Sequence, residues 1–287
     1  MIELFFLLGF GLLFGGLSLV SGSDDPDGIA ASGTEDDDYL EGGAGNDTLV
    51  GRMGPDLLVG LEGDDILDAG NGDDTLDGGA GSDVLIAGQG TDLLLGGGGA
   101  DILFGEEGND TLDGGGGNDD LLGGAGDDTL LGRGGDDYLF GDLGADLIKG
   151  GNGNDFLEGY VDDSGDNLPN ADDLLDPDSL VGGAGDDLLA MGSGDTAEGG
   201  EGADTFLTGI WAEGTTSPYI TDFNEVEDQL VILVPDNTPQ GAVDITQDPD
   251  NADTAFVLYD NEIVARLEGA WGRITTDQIS VVETAFG

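Results

Sequence analysis

An Asp residue recurs at every ninth position through nearly half of this chain. Between Gly33 and Glu158 the sequence divides into fourteen consecutive blocks of nine residues, and the sixth place of every block is Asp. Carboxylates at a fixed spacing beside glycine-rich turns are typical of sites that hold a cation through oxygen atoms. These candidate ligands are Asp38, Asp47, Asp56, Asp65, Asp74, Asp83, Asp92, Asp101, Asp110, Asp119, Asp128, Asp137, Asp146 and Asp155.

The charge of the chain indicates that these carboxylates need a counter-ion from solution. The chain has 63 acidic and 5 basic residues, no His and no Cys, for a formal charge of −58. Two carboxylates about 5 Å apart repel by roughly 3 kcal/mol at an effective dielectric constant near 20. Hard oxygen ligands in flexible turns favour Ca²⁺ over zinc or copper, and Mg²⁺ fits less well because it requires strict octahedral geometry. We therefore expect on the order of ten bound Ca²⁺ ions and no other cofactor.

The other places of the block predict the elements that position the Asp residues. The eighth place is Leu except at Ile148, the first is Gly except at Ala69 and Ala87, and the fourth is Gly except at Asp36. Nine residues cannot form a domain, so each block must bury its aliphatic residue by stacking on its neighbours. We predict a turn over the first six residues of each block and a strand over the last three, with two blocks in each coil. Fourteen blocks then make seven coils, a stack about 34 Å long.

Two complete blocks carry a family resemblance. The segments Gly78–Ile86 and Gly123–Leu131 resemble the haemolysin-type calcium-binding nonapeptide of the repeats-in-toxin (RTX) family. The resemblance implies an all-β chain that folds as a parallel β-roll, or β-solenoid, with Ca²⁺ held between successive turns on the same edge. It also implies that the sixth-place Asp supplies a side-chain ligand and that the glycine turn supplies carbonyl ligands. Family members are typically exported by bacteria through type I secretion.

The repeat pattern is interrupted after Glu158. Residues 159–181 form an acidic insertion, which we interpret as a surface loop in preference to a hinge between two rolls. A second repeat block follows at residues 182–207, and within it the segment Met191–Glu198 is one residue short. The candidate ligands of this block are Asp187, Asp195 and Asp204.

The two ends of the chain lack the repeat. Residues 208–287 are expected to form a β cap, because a solenoid exposes an apolar end and open strand edges, and a hairpin is predicted around Asp260-Asn261. The resemblance makes residues 274–287 a candidate export signal. Residues 1–20 form a hydrophobic segment, predicted to be helical, in which residues 4–20 are uncharged. A membrane anchor, a cleaved signal and a helix packed on the roll all remain open for it, and residues 21–32 are an acidic linker.

An apolar stripe is expected on one outer face of the roll. Places seven and nine flank the buried aliphatic residue, and alternate blocks share a sheet. With Gly33 as the start of block one, the even blocks present mostly aliphatic and aromatic residues, which is more than scattered exposure requires. We expect either a covering segment or a face for self-association or for a protein partner. The stripe consists of Val50, Ile66, Val84, Ile86, Ile102, Phe104, Leu122, Tyr138, Phe140 and Phe156.

These features favour a calcium-binding protein that is secreted or held at the cell surface, that folds when it binds Ca²⁺, and that has a structural or interaction role. Without His or Cys the chain cannot form a Ser-His-Asp triad, a Cys-His pair or an HExxH zinc site, so we expect no enzyme activity. The alternative is an RTX-bearing secreted enzyme or toxin fragment whose activity the sequence does not reveal. The negative charge opposes nucleic-acid binding.

Overall fold

The computed structural model describes residues 19–21, 28–159, 177–209, 216–235 and 241–284. The N-terminal helix is predicted over residues 1–20; residues 1–18 lie outside the described residues, whereas Leu19 and Val20 belong to a strand. Half of the linker and most of the insertion also lie outside the described residues. Among the residues that are described, no helix combines the length and the apolar character that a membrane span needs.

The repeat region is a ladder of short strands. In chain order these are β1 (Leu19–Ser21), β2 (Ala30–Ser32), β3 (Tyr39–Gly43), β4 (Thr48–Met53), β5 (Leu57–Glu62), β6 (Ile66–Asn71), β7 (Thr75–Ala80), β8 (Val84–Gln89), β9 (Leu93–Gly98), β10 (Ile102–Glu107), β11 (Thr111–Gly116), β12 (Asp120–Ala125), β13 (Thr129–Gly134), β14 (Tyr138–Leu143), β15 (Leu147–Asn152), β16 (Phe156–Glu158), β17 (Ser179–Ala184), β18 (Leu188–Ala190), β19 (Thr196–Glu201) and β20 (Thr205–Gly209). The C-terminal region adds β21 (Tyr219–Ile220), β22 (Gln229–Pro235), β23 (Val243–Gln247), β24 (Ala255–Tyr259), β25 (Glu262–Leu267), a 3₁₀-helix (Thr276–Gln278) and β26 (Ile279–Thr284).

The strands form two long sheets, as expected for a parallel β-solenoid. The odd-numbered strands from β1 to β21 pair in parallel and continue into β25, β24 and β23; we call this the first sheet. The even-numbered strands from β2 to β22 pair in parallel and end at β26; we call this the second sheet. Each coil contributes one strand to each sheet, and the parallel part runs through about nine turns.

The strands are longer and the turns shorter than the block pattern suggested. A typical strand has six residues: places seven to nine of one block and places one to three of the next, as in β4. The turn therefore covers only places four to six. Inside the strand the buried positions are the aliphatic residue and the first-place Gly, as in β10. The first-place residue is Gly or Ala, so the strand passes over the Asp side chain of its own block with little or no side chain between them.

The core between the sheets is a seam of fully buried aliphatic side chains. Leu103 is 0% exposed and its strand partners in the neighbouring coils are Leu85 and Leu121. This column of the second sheet continues through Leu139, Leu157 and Leu189, and Ile148 and Leu180 belong to the matching column of the first sheet. Each coil thus buries two aliphatic side chains, and stacking the coils removes them from water.

The sheets continue without a break across the insertion. β15 pairs with β17, and β16 pairs with β18, in the same parallel register as the earlier coils. Gly159 lies over the Asp178 carboxylate as a first-place Gly does over its own Asp. The inserted residues therefore replace places two to five of a single block, and residues 182–207 belong to the same roll as the main array.

The roll also begins earlier than Gly33, where the repeat pattern starts. β1 pairs in parallel with β3, and β2 pairs in parallel with β4. The end of the hydrophobic segment and the end of the linker are therefore strands of the two sheets. Backbone pairing needs no particular side chain, so three-residue strands without the Asp and Leu pattern escape a motif-based prediction.

The C-terminal region caps the roll. β24 and β25 form the predicted hairpin, and Asp260 and Asn261 both have positive φ angles, as a tight two-residue turn requires. β23 adds to β24 in an antiparallel sense, so the first sheet ends in three strands that no longer follow the solenoid. Phe206 and Phe223 pack with ring centroids 5.9 Å apart beneath this region.

Candidate metal centre

The sixth-place Asp residues form two rows, one on each edge of the roll. The turns that precede strands of the first sheet hold Asp38, Asp56, Asp74, Asp92, Asp110, Asp128, Asp146 and Asp195, whereas the turns that precede strands of the second sheet hold Asp47, Asp65, Asp83, Asp101, Asp119, Asp137, Asp155, Asp187 and Asp204. All of these side chains are at most 4% exposed. The turns thus place every predicted candidate ligand inside the roll.

One oxygen of each carboxylate joins neighbouring coils. The N–H of Asp83 donates to Oδ1 of Asp101 at 2.8 Å, and the N–H of Asp101 donates to Oδ1 of Asp119 at 2.9 Å. The same bond recurs along both rows, with lengths between 2.6 Å and 3.1 Å. It satisfies a backbone donor that would otherwise be buried without a partner.

The other oxygen of most of these carboxylates is buried without a hydrogen-bond donor. A buried acceptor left in this state costs about 1 to 3 kcal/mol, and more when it is charged. The coils in which this occurs lie in the interior of the array. The Oδ2 atoms concerned belong to Asp56, Asp65, Asp74, Asp83, Asp92, Asp101, Asp110, Asp119, Asp128, Asp137, Asp155 and Asp187.

A backbone carbonyl of the next coil lies close to several of these oxygens. A Cβ placed on Gly96 would lie 2.6 Å from Oδ2 of Asp101 and 2.6 Å from the carbonyl oxygen of Gly114 in the next coil. The first-place Gly therefore leaves a space between a carboxylate oxygen and a carbonyl oxygen, where two acceptors face each other without a donor. A cation between the two oxygens would resolve this arrangement, and no first-place residue of the fourteen blocks has a side chain larger than the methyl group of Ala.

Burial makes these carboxylates hard to ionise in the absence of an ion. Burial is the largest cause of their raised pKa values. The backbone N–H that donates to Oδ1 lowers the pKa in part, and neighbouring carboxylates on the same edge commonly raise it again. The pKa is raised to about 6 at Asp56, Asp65, Asp83, Asp101, Asp110 and Asp204, and to about 7 at Asp74, Asp128, Asp137 and Asp187.

The donor set fits a hard divalent cation. It consists of carboxylate and carbonyl oxygens in glycine turns, without nitrogen or sulfur, which is the chemistry of Ca²⁺. Within the described residues no group of three or more acidic, His or Cys side chains converges on one point. Backbone carbonyls would therefore have to complete the coordination of each ion.

Three predicted ligands differ from the interior residues. Oδ2 of Asp38 accepts the N–H of Thr34 at 2.6 Å, and Oδ2 of Asp47 accepts the N–H of Gly43 at 2.5 Å. In the shortened block, Oδ2 of Asp195 accepts the N–H of Gly192 at 2.5 Å. These carboxylates lie near the ends of the roll and already have backbone donors on the second oxygen.

Two members of the rows were not among the predicted ligands. Asp178 accepts the N–H of Asp146 and donates its own N–H to Asp195, so it occupies a sixth place beyond the insertion. The segment Asp178–Val181 matches the end of a block, which is a signal that the sequence does contain. Asp228 accepts the N–H of Asp204 at the end of the other row, and no nonapeptide marks it.

A second hydrogen-bond ladder runs outside the first through the fifth place of the blocks. The N–H of Asp64 donates to Oδ1 of Asn46 at 3.0 Å, and the N–H of Ser82 donates to Oδ1 of Asp64 at 2.9 Å. In this fifth-place ladder the accepting side chain lies in the earlier coil, whereas in the sixth-place rows the accepting side chain lies in the later coil. Neighbouring coils are therefore joined by side-chain hydrogen bonds that run in both directions along the roll.

The predicted apolar stripe lies on the outer face of the second sheet. Ile66 is 46% exposed and Tyr138 is 54% exposed, and the other members are partly exposed. The rings of Tyr138 and Phe140 lie 6.1 Å and 5.6 Å from the ring of Phe156. The structure therefore places an aromatic cluster at the end of the stripe nearest the insertion.

Comparisons with known proteins find a matching family model and matching solved structures. A family model described as the RTX calcium-binding nonapeptide repeat matches residues 31–163 and 175–210 in overlapping segments, more than half of the chain. Among solved structures 17 chains match. One is the solution structure of the AlgE6R3 subunit from the Azotobacter vinelandii mannuronan C5-epimerase, which is 27% identical, with a match that covers 50% of this chain and 77% of that chain at a TM-score of 0.23. No curated protein matches the chain.

Proposed function

The chain belongs to the RTX calcium-binding nonapeptide repeat family, and on this premise we propose that it is a calcium-dependent structural or interaction protein that works outside the cell or at its surface. The observation that carries this proposal is the repeated Oδ2 atom that is buried without a donor. A bound Ca²⁺ ion supplies positive charge at that oxygen. Ligation energy then becomes folding energy, because the turns that hold the ion do not exist in the unfolded chain.

The location outside the cell is supported by calcium availability. Extracellular calcium modules bind with dissociation constants of roughly 10⁻⁴ to 10⁻³ M. A chain with such sites and a formal charge of −58 stays unfolded at cytosolic calcium levels and folds after export. Type I secretion, which is typical of the family, would carry the chain in its unfolded form. Residues 4–20 are a candidate membrane anchor for a form that stays at the surface.

The interaction role is supported by the apolar stripe and by the absence of catalytic residue types. The sequence has no His and no Cys, so the common nucleophile and base pairs cannot form. We propose that the exposed face around Ile66 and Tyr138 contacts another copy of the chain or a protein partner, and that the roll serves as its rigid support.

The test is a Ca²⁺ titration followed by far-ultraviolet circular dichroism, from chelated solution to millimolar ion. The signal should change cooperatively from coil to β-structure, and Mg²⁺ should substitute poorly. Two adjacent variants, Asp137→Asn and Asp136→Asn, each remove one negative charge. Only Asp137 has a buried Oδ2 without a donor, whereas Asp136 accepts the N–H of Asn154 on the exposed ladder. We expect Asp137→Asn alone to raise the calcium midpoint, and a chain fully folded in chelator would contradict the proposal.

A further inference from the structure

We propose that the array of cation-binding aspartates is shorter than the row of sixth-place aspartates: Asp38, Asp47 and Asp195 close turns near the ends of the roll by hydrogen bonding and do not ligate a divalent cation. This inference rests on the proposed calcium-binding function of the interior turns. It divides one motif position into two kinds of site, which the sequence alone does not distinguish.

Asp47 and Asp65 show the difference most directly, because they lie one coil apart on the same edge. Both are buried, and Oδ1 of each accepts a backbone N–H from the preceding coil, at 2.6 Å from Ile29 and at 2.7 Å from Asp47. Oδ2 of Asp47 accepts the N–H of Gly43, whereas Oδ2 of Asp65 accepts no hydrogen bond. The negative charge of Asp47 is therefore stabilised by the backbone, and that of Asp65 requires an ion.

The opposite edge and the shortened block repeat the arrangement. Oδ2 of Asp38 accepts both the N–H of Thr34 at 2.6 Å and its hydroxyl at 3.0 Å, while Asp56, the next residue on that edge, has no donor at Oδ2. In the shortened block, Gly192 lies three residues before Asp195 and donates to its Oδ2. The pattern thus occurs on both edges at the N-terminal end of the roll and on one edge near its C-terminal end.

The strand pairing of Gly43 among the described residues differs from that of interior second-place residues. Gly43 pairs with Leu61 in the following coil, but on its other side β1 ends opposite Glu41. Within the described residues, the sheet therefore offers the Gly43 backbone a strand partner on one side only. A backbone N–H near a buried carboxylate donates to it when no strand partner is present. Interior second-place residues such as Gly97 pair on both sides and leave Oδ2 to the ion.

The experiment counts bound Ca²⁺ ions by native mass spectrometry on the full chain during a titration, for the parent protein, Asp47→Asn and Asp65→Asn. Circular dichroism at saturating calcium checks that each variant is folded. We expect Asp47→Asn to bind the parent number of ions with a midpoint within about twofold, and Asp65→Asn to bind at least one ion fewer. Equal losses in the two variants would overturn the inference while leaving the calcium-binding function intact. A parent chain that binds no calcium would remove both.

A measurement on the parent chain keeps the inference testable if a variant does not fold. In the calcium-loaded protein, hydrogen exchange at the Gly43 amide should be slow because its N–H is bonded to Asp47. Exchange as fast as that of an exposed amide would show that the bond is absent, and the assignment of Asp47 as a turn-closing residue would then fail.

Discussion

Protons should substitute in part for calcium in holding the roll closed. The perturbation is a shift from pH 8 to pH 5 in the presence of chelator. A carboxyl whose pKa is about 6 in the fold, such as that of Asp101, and near 4 in the unfolded chain destabilises the ion-free fold by roughly 3 kcal/mol at pH 8. The summed destabilisation from a few such groups exceeds the net stability of about 5 to 15 kcal/mol that a domain typically has.

The sign follows from proton uptake. Between the unfolded and the folded pKa values the folded state binds more protons, so the ion-free fold becomes more stable as the pH falls. At pH 5 the cost of a group with a folded pKa of about 6 drops to roughly 1.6 kcal/mol, and below about pH 4 both states are protonated and the difference vanishes. The stability of the ion-free fold should therefore rise across the window from pH 8 towards pH 4.

The assay is far-ultraviolet circular dichroism with sedimentation velocity as a check for monomers. The series stops at pH 5 because the chain approaches its isoelectric point of about 4.1. We expect coil at pH 8 and a larger β signal at pH 5, whereas 0.5 M NaCl at pH 8 should not reproduce it, since salt screens exposed charges far more than buried ones. In the Asp101→Asn variant the side chain is neutral without binding a proton, so the coil-to-β transition of the variant should move to higher pH. Its calcium affinity should fall. A β signal that is equal at both pH values, or that grows as the pH rises, would refute the reasoning.

The remaining predictions concern packing, the cap and the outer face, and each has a direct readout. Gly97 has a φ of 104° and faces a carbonyl of the preceding coil, so Gly97→Ala should lower the free energy of unfolding in saturating calcium by more than about 2 kcal/mol. Gly98 has open space around it, so Gly98→Ala should be neutral or stabilising by up to about 1 kcal/mol. Urea unfolding measures both. Asp222 accepts two backbone N–H groups of the last repeat, so Asp222→Asn should cost about 1 kcal/mol and speed hydrogen exchange at those amides, and unchanged exchange would contradict its capping role. The double variant Phe104→Asp and Phe140→Asp should abolish association in sedimentation experiments without changing calcium binding, and unchanged association would remove the stripe as an interface.

The sequence predicts the fold well where side chains repeat and less well where the backbone decides. The Asp rows and the Leu column follow from residue spacing alone, because a buried aliphatic residue every nine positions can be satisfied only by stacking. The six-residue strands could not be predicted in this way, since the extension into places one to three is defined by backbone pairing between coils, as between β4 and β6. The repeat motif is absent from two strands, Leu19–Ser21 and Ala30–Ser32, which are defined by backbone pairing.

The candidate site shows the same division. The sequence could have identified Asp178 as a sixth-place residue, because four residues there match the end of a block. Its hydrogen bond with Asp146 could not be predicted, because the repeat pattern does not constrain the length of the insertion between them. The different role of Asp47 could not be recovered, because it depends on the backbone partner of Gly43 and not on residue type. Residue spacing thus locates the carboxylates, and the hydrogen-bond network around each of them decides what each can bind.

A comparison of the fifth and sixth places shows that the sixth place is selected for charge as well as for hydrogen bonding. Both places supply an oxygen that accepts a backbone N–H from a neighbouring coil. Asn provides that oxygen as well as Asp does, and the chain uses it at the fifth place at Asn46, Asn109, Asn118 and Asn154. Across the fourteen blocks no Asn occupies the sixth place. Since an amide could accept the same N–H at Oδ1, the requirement for Asp must come from the second oxygen, which in the interior turns is buried and lacks a donor. That oxygen has a stabilising role only when a cation or a proton accompanies it.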